Sequence, residues 1–112
     1  MQFVSCVIRP ESLEAVTTAL AQLNVGGMTV TDVRGFGRQK GQVEHYRGGE
    51  YTIRFLPKVR VEVAVRREDV NDVVAAIGQA ARTGKVGDGK VFVSDLRDAL
   101  RVRTGERSSL AL

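Results

Sequence analysis

Val59, Val61, Val63 and Val65 alternate with Arg60, Glu62 and Ala64. A period of two places all four valines on one face of an extended chain, which no helix does. The segment is therefore a half-buried strand starting near Leu56. Something apolar has to cover its valine face. The opposite face carries Lys58 and Glu62, which are either solvated or turned toward another subunit.

Two stretches supply the cover. Leu13, Val16, Leu20 and Leu23 recur at helical spacing and predict an amphipathic helix over residues 10–24. Val70, Val73, Val74 and Ile77 predict a second helix, with Asp69 as its expected N-cap and Ala76, Ala80 and Ala81 giving close packing. Residues 2–8 carry apolar side chains on both faces and read as a central strand. Arg9-Pro10 ends it, because proline lacks the ladder donor and suits a first helical turn. Asn24-Val25-Gly26-Gly27 stops the first helix. Residues 28–36 read as a second strand and residues 91–96 as a fourth, followed by a turn or short helical piece through Leu100. The order β-α-β-loop-β-α-β predicts an α+β, ferredoxin-like βαββαβ sandwich, with both helices over one face of a four-stranded sheet. With 112 residues this is one domain, 1–112. Such a fold hosts many functions and names none.

Composition narrows the classes. The net charge of +4 favours anionic partners without naming nucleic acid. One cysteine, Cys6, excludes an intramolecular disulfide and a cysteine-rich metal site; in its apolar strand it reads as a small buried hydrophobe. No apolar run approaches the roughly 20 residues of a membrane span. The first residues lack the features of a signal peptide, so the default location is cytoplasmic.

Three segments carry candidate chemistry. Residues 82–90 form a glycine-rich loop in which Gly84 to Lys90 spell G-x-x-x-x-G-K, the opening of a phosphate-cradling loop. Val91 stands where that motif needs Ser or Thr for Mg²⁺, and the order of helix and strand is reversed. The expectation is phosphate binding by an unrelated loop, against the commoner fate of a plain glycine turn. Residues 37–55 combine glycine and charge without a sustained period, and predict one protruding loop, or a frayed hairpin, between the second and third strands. Within it, Gln39 beside Lys40 suits ligand orientation, His45 reads as solvated surface, and Tyr51 as an interface, modified or simply packing residue. In residues 101–106, Arg101 and Arg103 would project together from an extended segment, as a phosphate clamp would, although surface arginines are the commoner case.

The element order and Arg34-Gly35-Phe36-Gly37, which matches the start of an RNA-recognition motif, raise RNA binding as a reading. Arg38 stands where the motif needs an aromatic, and the third strand's exposed face has no stacking rings. No nucleic-acid partner is expected.

Read together, these segments resemble the PII signal-transduction proteins, trimeric ferredoxin-like sensors of nitrogen, carbon and energy status. The resemblance rests on Gly35-Phe36-Gly37-Arg38-Gln39-Lys40-Gly41, Tyr46-Arg47-Gly48-Gly49-Glu50-Tyr51, Phe55-Leu56-Pro57-Lys58, residues 83–93 and Arg101-Val102-Arg103-Thr104-Gly105-Glu106. It implies a homotrimer binding ATP or ADP between subunits. Gly87, Asp88, Gly89 and Lys90 would hold phosphates, with Arg101 and Arg103 reaching in from a neighbour. Thr29 and Ala64 would lie near adenine, with Glu62, Gly35, Gly37 and Arg38 also in the nucleotide site. It further implies that 2-oxoglutarate binds with Mg²⁺ and ATP, using Gln39 as metal ligand, Lys58 as carboxylate partner, and the backbone of Lys40, Gly41 and Gly87. Loop 37–55 would then control an ammonium channel, through Arg47 at its tip, and nitrogen-assimilation enzymes or regulators; channel binding would bring the protein to the membrane. Tyr51 matches a tyrosine that a nucleotidylyltransferase modifies in many members. Gly49 replaces a serine that some members phosphorylate, and Arg54 departs from an acidic residue common in relatives. Two other readings are a divergent sensor of another small anion and a small nucleotide hydrolase, for which Glu62 is the nearest base.

Overall fold

The valine strand is β5 (Leu56–Val65), and it lies inside a four-stranded sheet of order β2 (Thr29–Gly35), β5, β1 (Gln2–Ile8), β6 (Gly89–Asp95). The computed structural model describes residues 1–37, 43–45 and 51–112, with 43–45 and 51–53 as backbone only. In chain order the remaining elements are β1 (Gln2–Ile8), α1 (Leu13–Gln22), β2 (Thr29–Gly35), β3 (Val43–His45), β4 (Tyr51–Ile53), α2 (Val70–Ala81) and β6 (Gly89–Asp95). All pairings in the main sheet are antiparallel, with Val4 opposite both Val63 of β5 and Val93 of β6. The expected α+β ferredoxin-like arrangement is the observed one. No helix among the described residues is long and apolar enough to cross a membrane.

Alternation decides which face is covered. Val4, Cys6 and Ile8 of β1 and the four valines of β5 face the same side, where Val16, Leu20, Val73 and Ile77 of the two helices close over them. Each fully buried Val, Leu or Ile side chain contributes about 1.5–3 kcal/mol relative to exposure. Cys6 lies in this layer; burial pushes its thiol upward in pKa, as expected of an inert packing residue.

Several expectations need correcting. Asp69 is not a side-chain cap: a 3-10 turn, Arg67–Asp69, precedes α2, so Asp69 already has helical angles and makes no capping hydrogen bond. Residues 96–99 form no helix. Leu100 instead bridges to Arg107, and the intervening turn is closed by hydrogen bonds between Arg101 and the Glu106 carbonyl and Gly105 N–H. Arg101 and Arg103 therefore lie on a turn rather than on an extended segment. Lys58 is not on a solvated face, being only 8% exposed. β6 starts at Gly89, so the last two residues of the glycine loop already pair with β1. Between β2 and β5, β3 and β4 pair antiparallel as a separate two-stranded hairpin, the second of the two forms expected for residues 37–55.

Candidate functional site

Three strand ends meet where the glycine loop closes. Ile8, last in β1, faces Val59 on one side and Gly89 on the other, while Gly35, last in β2, faces Leu56. Glycine is obligatory at 89: its φ is +114°, and a Cβ there would lie 1.9 Å from the Val7 carbonyl oxygen. At 35 the restriction concerns a neighbour, because a Cβ would come within 3.1 Å of Lys58 Cγ. The missing side chain leaves room for the Lys58 stem to lie buried and emerge beside the loop.

The loop is tied together by Asp88. Its Oδ2 accepts the N–H groups of Thr83 at 2.7 Å and Gly84 at 2.9 Å. Its Oδ1 accepts the Thr83 hydroxyl and, at 3.3 Å, Arg9 Nε. The Thr83 hydroxyl oxygen accepts the Lys85 N–H in turn. The Thr83 hydroxyl and then its backbone donor, followed by Gly84 and Arg9, hold the Asp88 carboxyl well below the usual carboxylate range, despite an opposing desolvation cost. Two cations grip the outside of the loop at successive carbonyls: Arg9 Nη2 donates to Val86 O at 2.7 Å, and Lys58 Nζ to Gly87 O at 2.9 Å. Burial lowers the Lys58 pKa first and the nearby Arg9 charge second, while Glu11 and Asp88 act the other way.

A cavity of about 490 Å³ opens beside these contacts. Gly35, Gly37, Lys58, Gly87, Gly89 and Lys90 line it, together with the apolar Val7, Phe36, Val86 and Phe92. Six residues expected from distant parts of the chain are thus brought to one place. Asp88 is adjacent, with its carboxylate spent inside the loop. Phe36 and Phe55, at the two ends of the long connection, meet edge to face with centroids 6.3 Å apart.

A second group lies elsewhere. Thr29 faces Glu62 across β2 and β5. Ala64 borders a smaller cavity of about 260 Å³, with Leu23, Asn24, Val25 and Gly26 on its wall. Six residues of extended chain, about 20 Å, separate Ala64 from Lys58. Glu62 stands 3.5 Å from Arg60 Nε. Arg101 is engaged by the Glu106 carboxylate at 3.2 Å and by the Leu112 carbonyl at 2.9 Å, and Arg103 is exposed. Neither arginine lines the larger cavity of its own chain. Arg38, Gln39, Lys40, Gly41 and Arg47 lie outside the described residues, as do the side chains of His45 and Tyr51; the Tyr51 backbone pairs with His45.

Sequence reading missed Arg9 and Thr83. Arg9 was legible only as a strand end before Pro10, since its acceptors lie 77 and 79 residues away. For Thr83 a local signal existed: an oxygen-bearing side chain five residues before an aspartate in a glycine-rich segment, where a side chain can replace missing ladder bonds.

Residues 1–106 match the family described as "Nitrogen regulatory protein P-II". Over all 112 residues the chain is 48% identical to "Nitrogen regulatory protein GlnK" of Escherichia coli (strain K12), covering 100% of both proteins. It is 51% identical to "Nitrogen regulatory protein P-II" of Microchaete diplosiphon and 49% identical to the protein of that name from Synechocystis sp. (strain ATCC 27184 / PCC 6803 / Kazusa), each again over 100% of both chains. A match of this length and evenness leaves one assignment: the chain belongs to the P-II family of nitrogen regulatory proteins.

Proposed function

We propose that the protein is a non-enzymatic regulator of nitrogen metabolism that reads ATP or ADP and 2-oxoglutarate and reports through the segment between β2 and β5. The observation that carries the reading is the 490 Å³ cavity gathering Gly35, Gly37, Lys58, Gly87, Gly89 and Lys90. Positive charge, glycine backbone and an apolar wall are what a small anion attached to a flat ring requires. Gly87, Gly89 and Lys90 receive phosphates, and Asp88 contributes by shaping the loop. Arg101, Arg103, Thr29, Glu62 and Ala64 belong to the half-site that a neighbouring copy presents. A homotrimer supplies that neighbour, and the separation of the two groups within one chain supports a site built between copies.

Lys58 pairs with a carboxylate of 2-oxoglutarate, with Lys40 and Gly41 closing that end by their backbone. Mg²⁺, with Gln39 as its protein ligand, offsets repulsion between the acid and the nucleotide. Effector-dependent placement of the segment between β2 and β5 then changes affinity for an ammonium channel and nitrogen-assimilation enzymes or regulators, by population shift. Arg47 is the proposed channel contact, and Tyr51 the proposed target of a nucleotidylyltransferase.

Lys58→Met provides the test. Calorimetric titration with 2-oxoglutarate in the presence of ATP and Mg²⁺ should show at least about tenfold weaker binding, a loss well beyond any change in ATP affinity. Because a desolvated cation is removed, the melting temperature should be unchanged or higher. Undiminished 2-oxoglutarate affinity in the variant would remove Lys58 from the proposed site.

A further inference from the structure

Arg9 joins the end of β1 to residues 86–88, which lie just outside the β1–β6 pairing. It follows the last residue of β1, yet its guanidinium spans the glycine loop, reaching the Asp88 carboxylate through Nε and the Val86 carbonyl through Nη2. The same carboxylate holds Thr83 and Gly84 from within. The loop is thereby closed twice, by its own aspartate and by an arginine anchored in the sheet. Neighbouring Lys58 holds the next carbonyl, that of Gly87.

This arrangement has a geometric consequence. A trans peptide unit is planar, with its C=O and N–H pointing in opposite directions. Turning the Val86 carbonyl toward Arg9 turns the Gly87 N–H away from Arg9. Turning the Gly87 carbonyl toward Lys58 does the same for the following N–H. Arg9 and Lys58 together set the orientation of two successive peptide planes in the loop that borders the cavity.

We infer that Arg9 and Asp88 are positioning residues, forming a latch that holds the 83–88 loop in the shape that receives the phosphates of a nucleotide. The inference rests on the phosphate-binding reading of this cavity given above. Neither residue needs to touch the ligand; each acts through the loop backbone.

Asp88→Asn separates this from simple electrostatics. Asparagine keeps an oxygen for the Thr83 and Gly84 N–H groups but meets the two donors on Oδ1, Arg9 Nε and the Thr83 hydroxyl, with an amide donor. It also deletes a negative charge beside an anion site. Electrostatics alone therefore predict tighter ATP binding, whereas a broken latch predicts weaker binding.

The experiment measures ATP and adenosine affinity by calorimetry for the full chain and for Arg9→Met, Asp88→Asn and the double variant, with a melting curve for each. The latch predicts about tenfold weaker ATP binding in either single variant, adenosine affinity within about twofold, and a double variant no worse than the singles. Arg9→Lys, which has one donor nitrogen for two acceptors, should recover part of the loss. Equal or tighter ATP binding by Asp88→Asn overturns the latch, as do equal losses for adenosine or losses that multiply in the double variant. If Asp88→Asn fails to fold, Arg9→Gln, which leaves the Thr83–Asp88 contacts intact, is judged by the same ATP and adenosine criteria. Absence of ATP binding by the unmodified chain overturns the phosphate reading itself, and the latch with it, which distinguishes that failure from normal ATP binding in the variants.

Discussion

Asp88 illustrates how a residue suggested for ligand binding can serve the site from behind. A free carboxylate facing phosphate would repel it; with four donors around it, this one is committed to the loop. Its lowered pKa fixes the sign of the pH dependence. The loop stabilisation it supplies is fully present above the unfolded-state value of about 3.9 and is lost only as pH falls through the lower folded value. A carbon-detected NMR titration should therefore place the Asp88 midpoint below that reference, and Thr83→Val should move it upward. An Asp88 midpoint at or above the reference would mean that the loop is not organised around it. Lys58 has the opposite tension. Its burial disfavours the charge that the proposed carboxylate binding needs, and a bound dianion would relieve that cost.

At the scale of elements, the helix and strand pattern was legible because burial in this fold follows period. Val59 to Val65 and Val73 with Ile77 were read correctly because each periodic residue meets the same layer. Leu20 is central to that layer and fully buried, so Leu20→Ala should cost about 2–5 kcal/mol in denaturant unfolding. Gly89→Ala should be worse than its size suggests, since the added methyl meets backbone at Val7 and cannot be accommodated by a rotamer change. It should lower the melting temperature and also weaken ATP binding, because β6 and the loop share that residue. A melting temperature like that of the unmodified protein would show that the β1–β6 approach is looser than described. Features that the hydrophobic period does not encode were not legible. The 3-10 turn ahead of α2 displaced the cap at Asp69, and the Leu100–Arg107 bridge bent a segment that local composition left extended or helical.

For the whole molecule, the decisive fact is the division of the candidate residues into two groups, one around Lys58 and Gly87, the other around Thr29, Glu62 and Ala64. Sequence resemblance named both groups, but only the strand register shows how far apart they lie in one chain. If the groups meet between neighbouring copies, two damaged chains can complement each other. Lys90→Ala and Arg103→Ala should each abolish most ATP binding alone, while an equal mixture refolded together should recover about a quarter of the sites, those combining an intact half from each variant. No recovery in verified mixed assemblies would place the two halves in the same chain.

In the proposed function, one site couples nucleotide and acid. Titration of 2-oxoglutarate into the 112-residue chain, alone, with ATP, with Mg²⁺, and with both, checks that coupling. Saturable heat should appear only when ATP and Mg²⁺ are both present. Equal affinity for 2-oxoglutarate without nucleotide would contradict the account.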